Sequence, residues 1–146
     1  MVKQSVRPIP LGKRWLALDV GSKRIGLAMS DPLHLTARPV GVVERGTALL
    51  DHLDRIVAES FVGGFVLGFP RREGGPLGEL AGVIAELQVL LQSRYGLPVH
   101  LEDERYSTQA AEEVLARLGV PPARRRRERD AVAAAVFLQW FLDEHF

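Results

Sequence analysis

The 146-residue chain contains no cysteine. That removes disulfides, Cys-ligated zinc and iron–sulfur clusters from consideration and fits a reducing compartment. Long apolar runs are also missing. The longest, Ala131 to Leu142, is interrupted by Gln139 and falls short of the roughly 20 residues a spanning helix needs. Residues 1–13 carry Lys3, Arg7 and Lys13 without an apolar stretch, so no secretory leader is expected. A soluble, cytoplasmic protein with no membrane contact is expected instead. There is no internal repeat and no low-complexity segment. No G-x-x-x-x-G-K-[ST], H-E-x-x-H or G-x-S-x-G motif occurs, which removes the usual phosphate loop, zinc protease and serine hydrolase templates. His34, His52, His100 and His145 show no metal-ligand spacing along the chain and are expected to be structural or exposed.

What is present is ordinary globular material, 47% hydrophobic and 25% charged. The length matches one domain able to bury its own core. A single domain over residues 1–146 is expected, with 1–13 as a flexible N-terminal extension. The net charge of +1 says little about partners, but its distribution is uneven. Residues 1–45 hold eight Lys/Arg against three Asp/Glu, and residues 46–122 hold six against eleven. The sharpest basic feature is Arg124-Arg125-Arg126-Arg127. Such a block can bind phosphates, or it can be a solvated loop in a chain with 16 arginines and 3 lysines.

The order of elements is legible from periodicity. Trp15 to Val20 and Arg24 to Ser30 read as two strands of a hairpin about Gly21-Ser22-Lys23. Thr36 to Val43 reads as a third strand, placed near an edge by Pro39. Leu49, Leu50, Leu53, Ile56 and Val57 recur at helical spacing. Gly64 to Phe69 is a short buried strand, followed by the polar loop Arg71 to Pro76. Leu80 to Leu91 mark a long helix stopped by Gly96 and Pro98. Val99 to Glu102 is another strand. Ser107 or Thr108 is expected to cap the next helix. A basic loop should follow, and a last helix should run from about Glu128 to Phe146. Strands joined by helices of this length are parallel neighbours, whereas the first three form an antiparallel meander. The expected fold is α/β: a mixed five-stranded sheet flanked by helices.

Three acidic positions stand out. Asp19 ends an apolar strand at its carboxyl end, where ligand sites of open α/β sheets gather. It could equally cap the following turn. Glu102, Asp103 and Glu104 cluster at the end of the last strand, and an acidic loop or helix-start acids would look the same. Asp130 falls in line with Ala133, Ala134, Phe137, Leu138 and Phe141, one face of a helix and the buried one. If the three meet, they offer hard oxygen donors suited to Mg²⁺ or Mn²⁺. Two such ions, about 3.5–4 Å apart, stabilise the attacking and leaving oxygens of a phosphoryl displacement.

Four stretches together resemble the YqgF/RuvX family. Ala17 to Ala28 looks like its opening D-x-G motif, and Val66-Leu67-Gly68-Phe69-Pro70 looks like its central strand end. Asp103-Glu104-Arg105-Tyr106-Ser107-Thr108 matches D-E-R-x-S-T, and Arg129 to Ala135 matches the closing D-x-x-A-A pattern. The resemblance spans roughly residues 14 to 142. It implies a ribonuclease H-like fold and either Holliday junction resolution or 5′-end maturation of 16S ribosomal RNA. It carries the family's acids onto Asp19, Glu104 and Asp130 as both catalytic and metal-binding residues, with Asp103 in reserve for Glu104. Arg71-Arg72-Glu73-Gly74-Gly75 departs from the N-x-x-G-type loop usual in the family, and Tyr106 replaces a leucine.

The resulting expectation is a metal-dependent endonuclease acting on branched DNA or precursor ribosomal RNA. In-line attack by water leaves 5′-phosphate and 3′-hydroxyl ends. Lys23, Arg71, Arg72, Arg105, Ser107, Thr108, Arg124, Arg125, Arg126 and Arg127 are the expected substrate contacts. A homodimer suits a resolvase that cuts two equivalent strands, and Trp140 and Phe146 are candidates for its contact. The rivals are a non-catalytic RNA-binding maturation factor on the same fold and an actin-like ATP-binding domain.

Overall fold

The computed structural model describes residues 6–69, 78–103 and 106–146. Strands β1 (Arg14–Val20), β2 (Arg24–Ser30) and β3 (Ala37–Glu44) come first, then α1 (Ala48–Glu59), β4 (Val62–Phe69) and α2 (Gly78–Tyr95). Strand β5 (Val99–Asp103) and helices α3 (Ser107–Arg117) and α4 (Pro122–His145) complete the chain. The five strands form one sheet in the order β3-β2-β1-β4-β5. β1 and β2 pair antiparallel, as do β2 and β3, whereas β1, β4 and β5 run parallel. The meander and the parallel half are as the connection lengths require, and β3 with its Pro39 occupies an edge.

Strand pleating divides the side chains between two cores. Leu16, Leu18 and Val20 of β1 pack with Leu49 and Leu53 of α1 and with Ile84, Leu87 and Leu91 of α2. Trp15 and Ala17 point the other way, onto Ala134, Phe137, Leu138 and Phe141 of α4. Asp19 continues this second set, so it faces α4. Within the segment 1–13, expected to be an extension, Ile9 is buried in the α4-side core, where it meets Trp15 and Ala17. Among the described residues no helix is long and apolar enough to cross a membrane.

Two boundaries differ from expectation. The basic stretch is not a loop, because α4 begins at Pro122 and takes Arg124 to Arg127 into its first turns. Pro122 supplies a preset helical φ at N1, arginine is a good helix former, and Arg124 pairs with Glu128 one turn on at 3.1 Å. Nor do Ser107 and Thr108 cap α3. Tyr106 takes the N-cap position in a left-handed conformation, φ 69°, and Ser107 is the first helical residue.

On the face away from α4, Asp54 of α1 clasps α2. It accepts two hydrogen bonds from Arg94, at 2.8 and 2.6 Å, and one from the Tyr95 hydroxyl at 2.6 Å. The Arg94 bonds, then the Tyr95 bond, hold the Asp54 carboxyl down at about 2, against an ordinary value of 3.8. A folded-state value below the unfolded one means the stabilisation is complete above about pH 4 and is lost as pH falls through 2. The pair is solvated, so its contribution is small. The expected result is that urea midpoints measured from pH 5 down to pH 2 fall more steeply for the wild type than for Asp54→Asn. Parallel curves would show that the clasp contributes nothing.

Candidate metal centre and nucleic-acid cleft

Asp19 lies near the end of β1, 9% exposed, in a strand whose other residues from Trp15 on are buried and apolar. Its Cα partner on β2 is Gly26, which puts the two residues about 4.5–5.5 Å apart across the antiparallel pair. Gly26 is also where α4 crosses the sheet. A Cβ built on Gly26 would overlap the carbonyl of Asp130 and the amide nitrogen of Ala131. The absence of a side chain at position 26 therefore lets the α4 backbone rest on β2. Buried Ala133 and Ala134 continue the close approach along the helix. Asp19 and Asp130, 111 positions apart in the chain, thus flank one glycine from different elements.

Asp130 is the ninth residue of α4 and not a helix-start residue as expected. At that depth it is beyond the first turn, where the helix dipole would favour an acid. Its side chain is 24% exposed and lies 4.0 Å from the Arg24 guanidinium. Asp130 also stands on the wall of a cleft of about 1030 Å³ together with Lys23, Arg24, Glu44, Arg45 and Arg129. Asp19 lies beside this cleft and not among its walls.

The third acidic position is at the same sheet edge. β1, β4 and β5 run in one direction, Leu18 is level with Leu67, and Gly68 is level with Glu102. The end of β5 is therefore two strands, about 10 Å, from the end of β1. Asp103 is the last residue of β5, opposite Phe69. Glu104 and Arg105 lie outside the described residues, as do Arg71 and Arg72.

The basic residues divide by partner. Lys23 sits exposed in the β1–β2 turn, at the mouth of the cleft. Arg124 is engaged with Glu128, and Arg125 donates to the Val120 carbonyl at 2.9 Å. Arg126 and Arg127 are exposed on the helix surface, and Arg127 faces the β3 edge rather than the cleft. Ser107 is buried and Thr108 exposed at the start of α3.

Sequence reasoning missed three of the cleft cations. Arg24 follows Lys23 and begins β2, so pleating places it on the same face as Gly26. Arg45 donates to the Gly21 and Ser22 carbonyls at 3.2 and 2.7 Å and so braces the β1–β2 turn. Arg129 pairs with Glu112 of α3 at 3.0 Å. Arg24, inside the opening motif, and Arg129, at the head of the closing one, carried a signal in the sequence; Arg45 carried none.

Comparison with known proteins gives the family and the fold. Residues 13–144 match the family described as RuvX, Holliday junction resolvase. A relative from Symbiobacterium thermophilum, provisionally named a pre-16S rRNA nuclease, is 44% identical over 86% of this chain and 89% of its own. One from Geobacillus kaustophilus, with the same provisional name, is 41% identical over 89% of this chain and 97% of its own. Among solved structures, RuvC of T. thermophilus in complex with a Holliday junction substrate aligns with a TM-score of 0.53 at 18% identity. That alignment covers 90% of this chain and 94% of RuvC. The fowlpox virus resolvase in complex with junction DNA aligns with a TM-score of 0.56 at 9% identity, covering 90% and 97%. At those identities the structures establish the fold alone, which is ribonuclease H-like.

Proposed function

The chain belongs to the RuvX, Holliday junction resolvase, family, and from that premise we propose that it is a divalent-metal-dependent endonuclease of structured nucleic acid. Its substrate is branched DNA or the 5′ end of precursor 16S ribosomal RNA. The observation that carries the proposal is the juxtaposition of Asp19 and Asp130 about Gly26. Two acids brought together by packing at the edge of a cationic cleft repel each other unless positive charge offsets them, and a bound cation adds to what Arg24 already supplies to Asp130. The donor set, carboxylate oxygens without sulfur, fits Mg²⁺ or Mn²⁺. Asp19, Asp130 and Glu104 would hold the ions, with Asp103 as the alternative to Glu104. Two bound ions would supply charge stabilisation to the attacking and leaving oxygens of the phosphodiester.

The rest of the work falls to the chain itself. Lys23, Arg24 and Arg45 present positive charge along the cleft beside Asp130. They hold the nucleic-acid backbone by its phosphates and set which phosphodiester meets the acids. Arg71, Arg72, Arg105 and Arg124 to Arg127 would extend this contact, and Ser107 and Thr108 lie at the start of the helix after β5. The α4 backbone on Gly26 fixes Asp130, so positioning costs no reorganisation during the reaction. We read residues 1–146 as one such domain, working in the cytoplasm. A homodimer would serve junction DNA, with the 40%-exposed Trp140 at its contact.

The test is cleavage of a four-way DNA junction and of a precursor ribosomal RNA fragment with Mg²⁺ or Mn²⁺, against a chelator control. Cleavage of either substrate that depends on metal and is lost in Asp19→Asn supports the reading. Equal cleavage by wild type and Asp19→Asn would sink it. RNA binding without any cleavage would favour a non-catalytic maturation factor instead.

The cleft makes a separate prediction. Arg24→Ala should weaken binding of the same substrates at every sequence alike and reduce the slope of log affinity against log salt by about 1. Fluorescence anisotropy at several salt concentrations measures both. An unchanged slope would remove Arg24 from the phosphate contacts.

A further inference from the structure

His100 and His145, which show no ligand spacing along the chain, meet in the fold. His100 and Glu102 are two apart on β5 and share one face of the strand. His145 is the last residue of α4. One ligand atom from each of the three lies within 4.8 Å of the other two, and His100 Nε2 is 3.2 Å from Glu102 Oε2. Ligand atoms arranged tetrahedrally about an ion at 2.0–2.2 Å are separated by about 3.4 Å. The His100–Glu102 contact, a hydrogen bond without the ion, is close to that separation, and the His145 ligand atom lies no more than 4.8 Å from either.

The surroundings are those of a preformed site. The three side chains are only 13–14% exposed. The Phe141 ring packs on both imidazoles, at 4.9 Å from His100 and 5.0 Å from His145, and the imidazoles lie 5.6 Å apart edge to face. An apolar wall of this kind fixes rotamers and strengthens ligand–metal attraction. Glu144 lies outside the cluster, 4.0 Å from His145 Nε2 and beyond hydrogen-bond reach.

We propose that His100, Glu102 and His145 form a metal site for Zn²⁺ or a similar late first-row ion, tying the last turn of α4 to β5. Two imidazole nitrogens and one carboxylate are the donors such ions prefer, and water fills the fourth position. Mg²⁺ favours oxygen donors and does not compete here. The site is distinct from the centre proposed around Asp19, although on the chain Glu102 precedes Glu104 by only two residues. His145 lies fifteen residues beyond Asp130 on α4, about 22 Å along the helix axis. It acts on that centre only indirectly, by fixing the strand that leads into Glu104.

The test uses the full chain, stripped with a chelator and titrated with Zn²⁺ in millimolar Mg²⁺ by calorimetry. One equivalent of Zn²⁺ is expected to bind and to raise the melting temperature. His100→Ala, Glu102→Gln and His145→Ala should each weaken binding by at least about 100-fold, whereas Asp19→Asn should leave it unchanged. His145 packs on His100 and Phe141, so the melting temperature of His145→Ala in metal-free buffer is measured alongside to separate lost packing from lost ligation. Cobalt-substituted wild type should show visible bands of a low-coordinate site, and His145→Ala should not. Absence of Zn²⁺ binding by wild type overturns the proposal. So does binding that survives both histidine substitutions, or that is lost in Asp19→Asn, since the ion would then belong to the acidic centre. If a histidine variant is destabilised in metal-free buffer, the wild-type cobalt spectrum decides alone: no such bands, no site.

Discussion

Gly26→Ala should lower the melting temperature by about 3–10 °C and abolish most cleavage at the same time. The added methyl overlaps the Asp130 carbonyl, which is helix backbone and cannot rotate away. Either α4 lifts from the sheet or β2 bends. Overpacking of this kind costs about 1–3 kcal/mol and sometimes more, which corresponds to that range in a domain of this size. Activity should fall further than stability accounts for, because lifting α4 moves Asp130 away from Asp19. Displacement of about 1 Å is enough to cost on the order of 100-fold in rate. Gly41→Ala is the matched control, since a Cβ there meets nothing within 4 Å. Calorimetry and single-turnover cleavage, at a temperature where both variants are folded, give the two numbers. If Gly26→Ala melts and cuts like the wild type, the close approach of α4 is not what positions Asp130.

Asp19→Asn and Asp130→Asn should each reduce cleavage by at least about 100-fold while leaving substrate affinity within a few-fold of wild type. The informative variant is the double one. Two ligands of one centre act as a unit, so losing the second after the first removes little more. The double variant should therefore cut about as poorly as the worse single. Losses that multiply would mean two independent roles and would argue against a shared centre. Without metal, Asp19→Asn relieves repulsion between neighbouring carboxylates, so its melting temperature in chelator should hold or rise; Asp130→Asn also gives up the Arg24 pair and should fall only slightly. A fall of several degrees would mean that the acids serve the fold rather than the reaction.

Much of the architecture was legible because it rests on local periodicity. Strand β2 falls on Arg24–Ser30 as read, and the switch from short turns to helical crossovers fixed which strands run parallel. The buried face of α4, from Ala133 to Phe141, also followed from spacing alone. Misreadings came where two local rules competed. Four adjacent arginines suggested a solvated loop, yet Pro122 and an Arg124–Glu128 pair make the segment helical. Ser107 is a good capping residue, yet the left-handed Tyr106 takes that position.

The candidate site was legible only in part. Asp19 and Asp130 could be named, but their meeting depends on Gly26 lying under one particular turn of α4, which no spacing encodes. The same holds for His100 and His145, and for Arg45, whose reach to Gly21 and Ser22 is a tertiary event. Glu104 and Arg105 rest on motif and chain order.

The seating of α4 across Gly26 has a consequence for how the protein opens. Asp130 lies within a 24-residue helix whose following turns are buried against the sheet. Backbone amides from Ala131 to Leu138 therefore have no local route to solvent and should exchange hydrogen only when the whole domain unfolds. The carboxylate on this helix cannot be lost by fraying: while any molecule is folded, that half of its reactive centre is assembled.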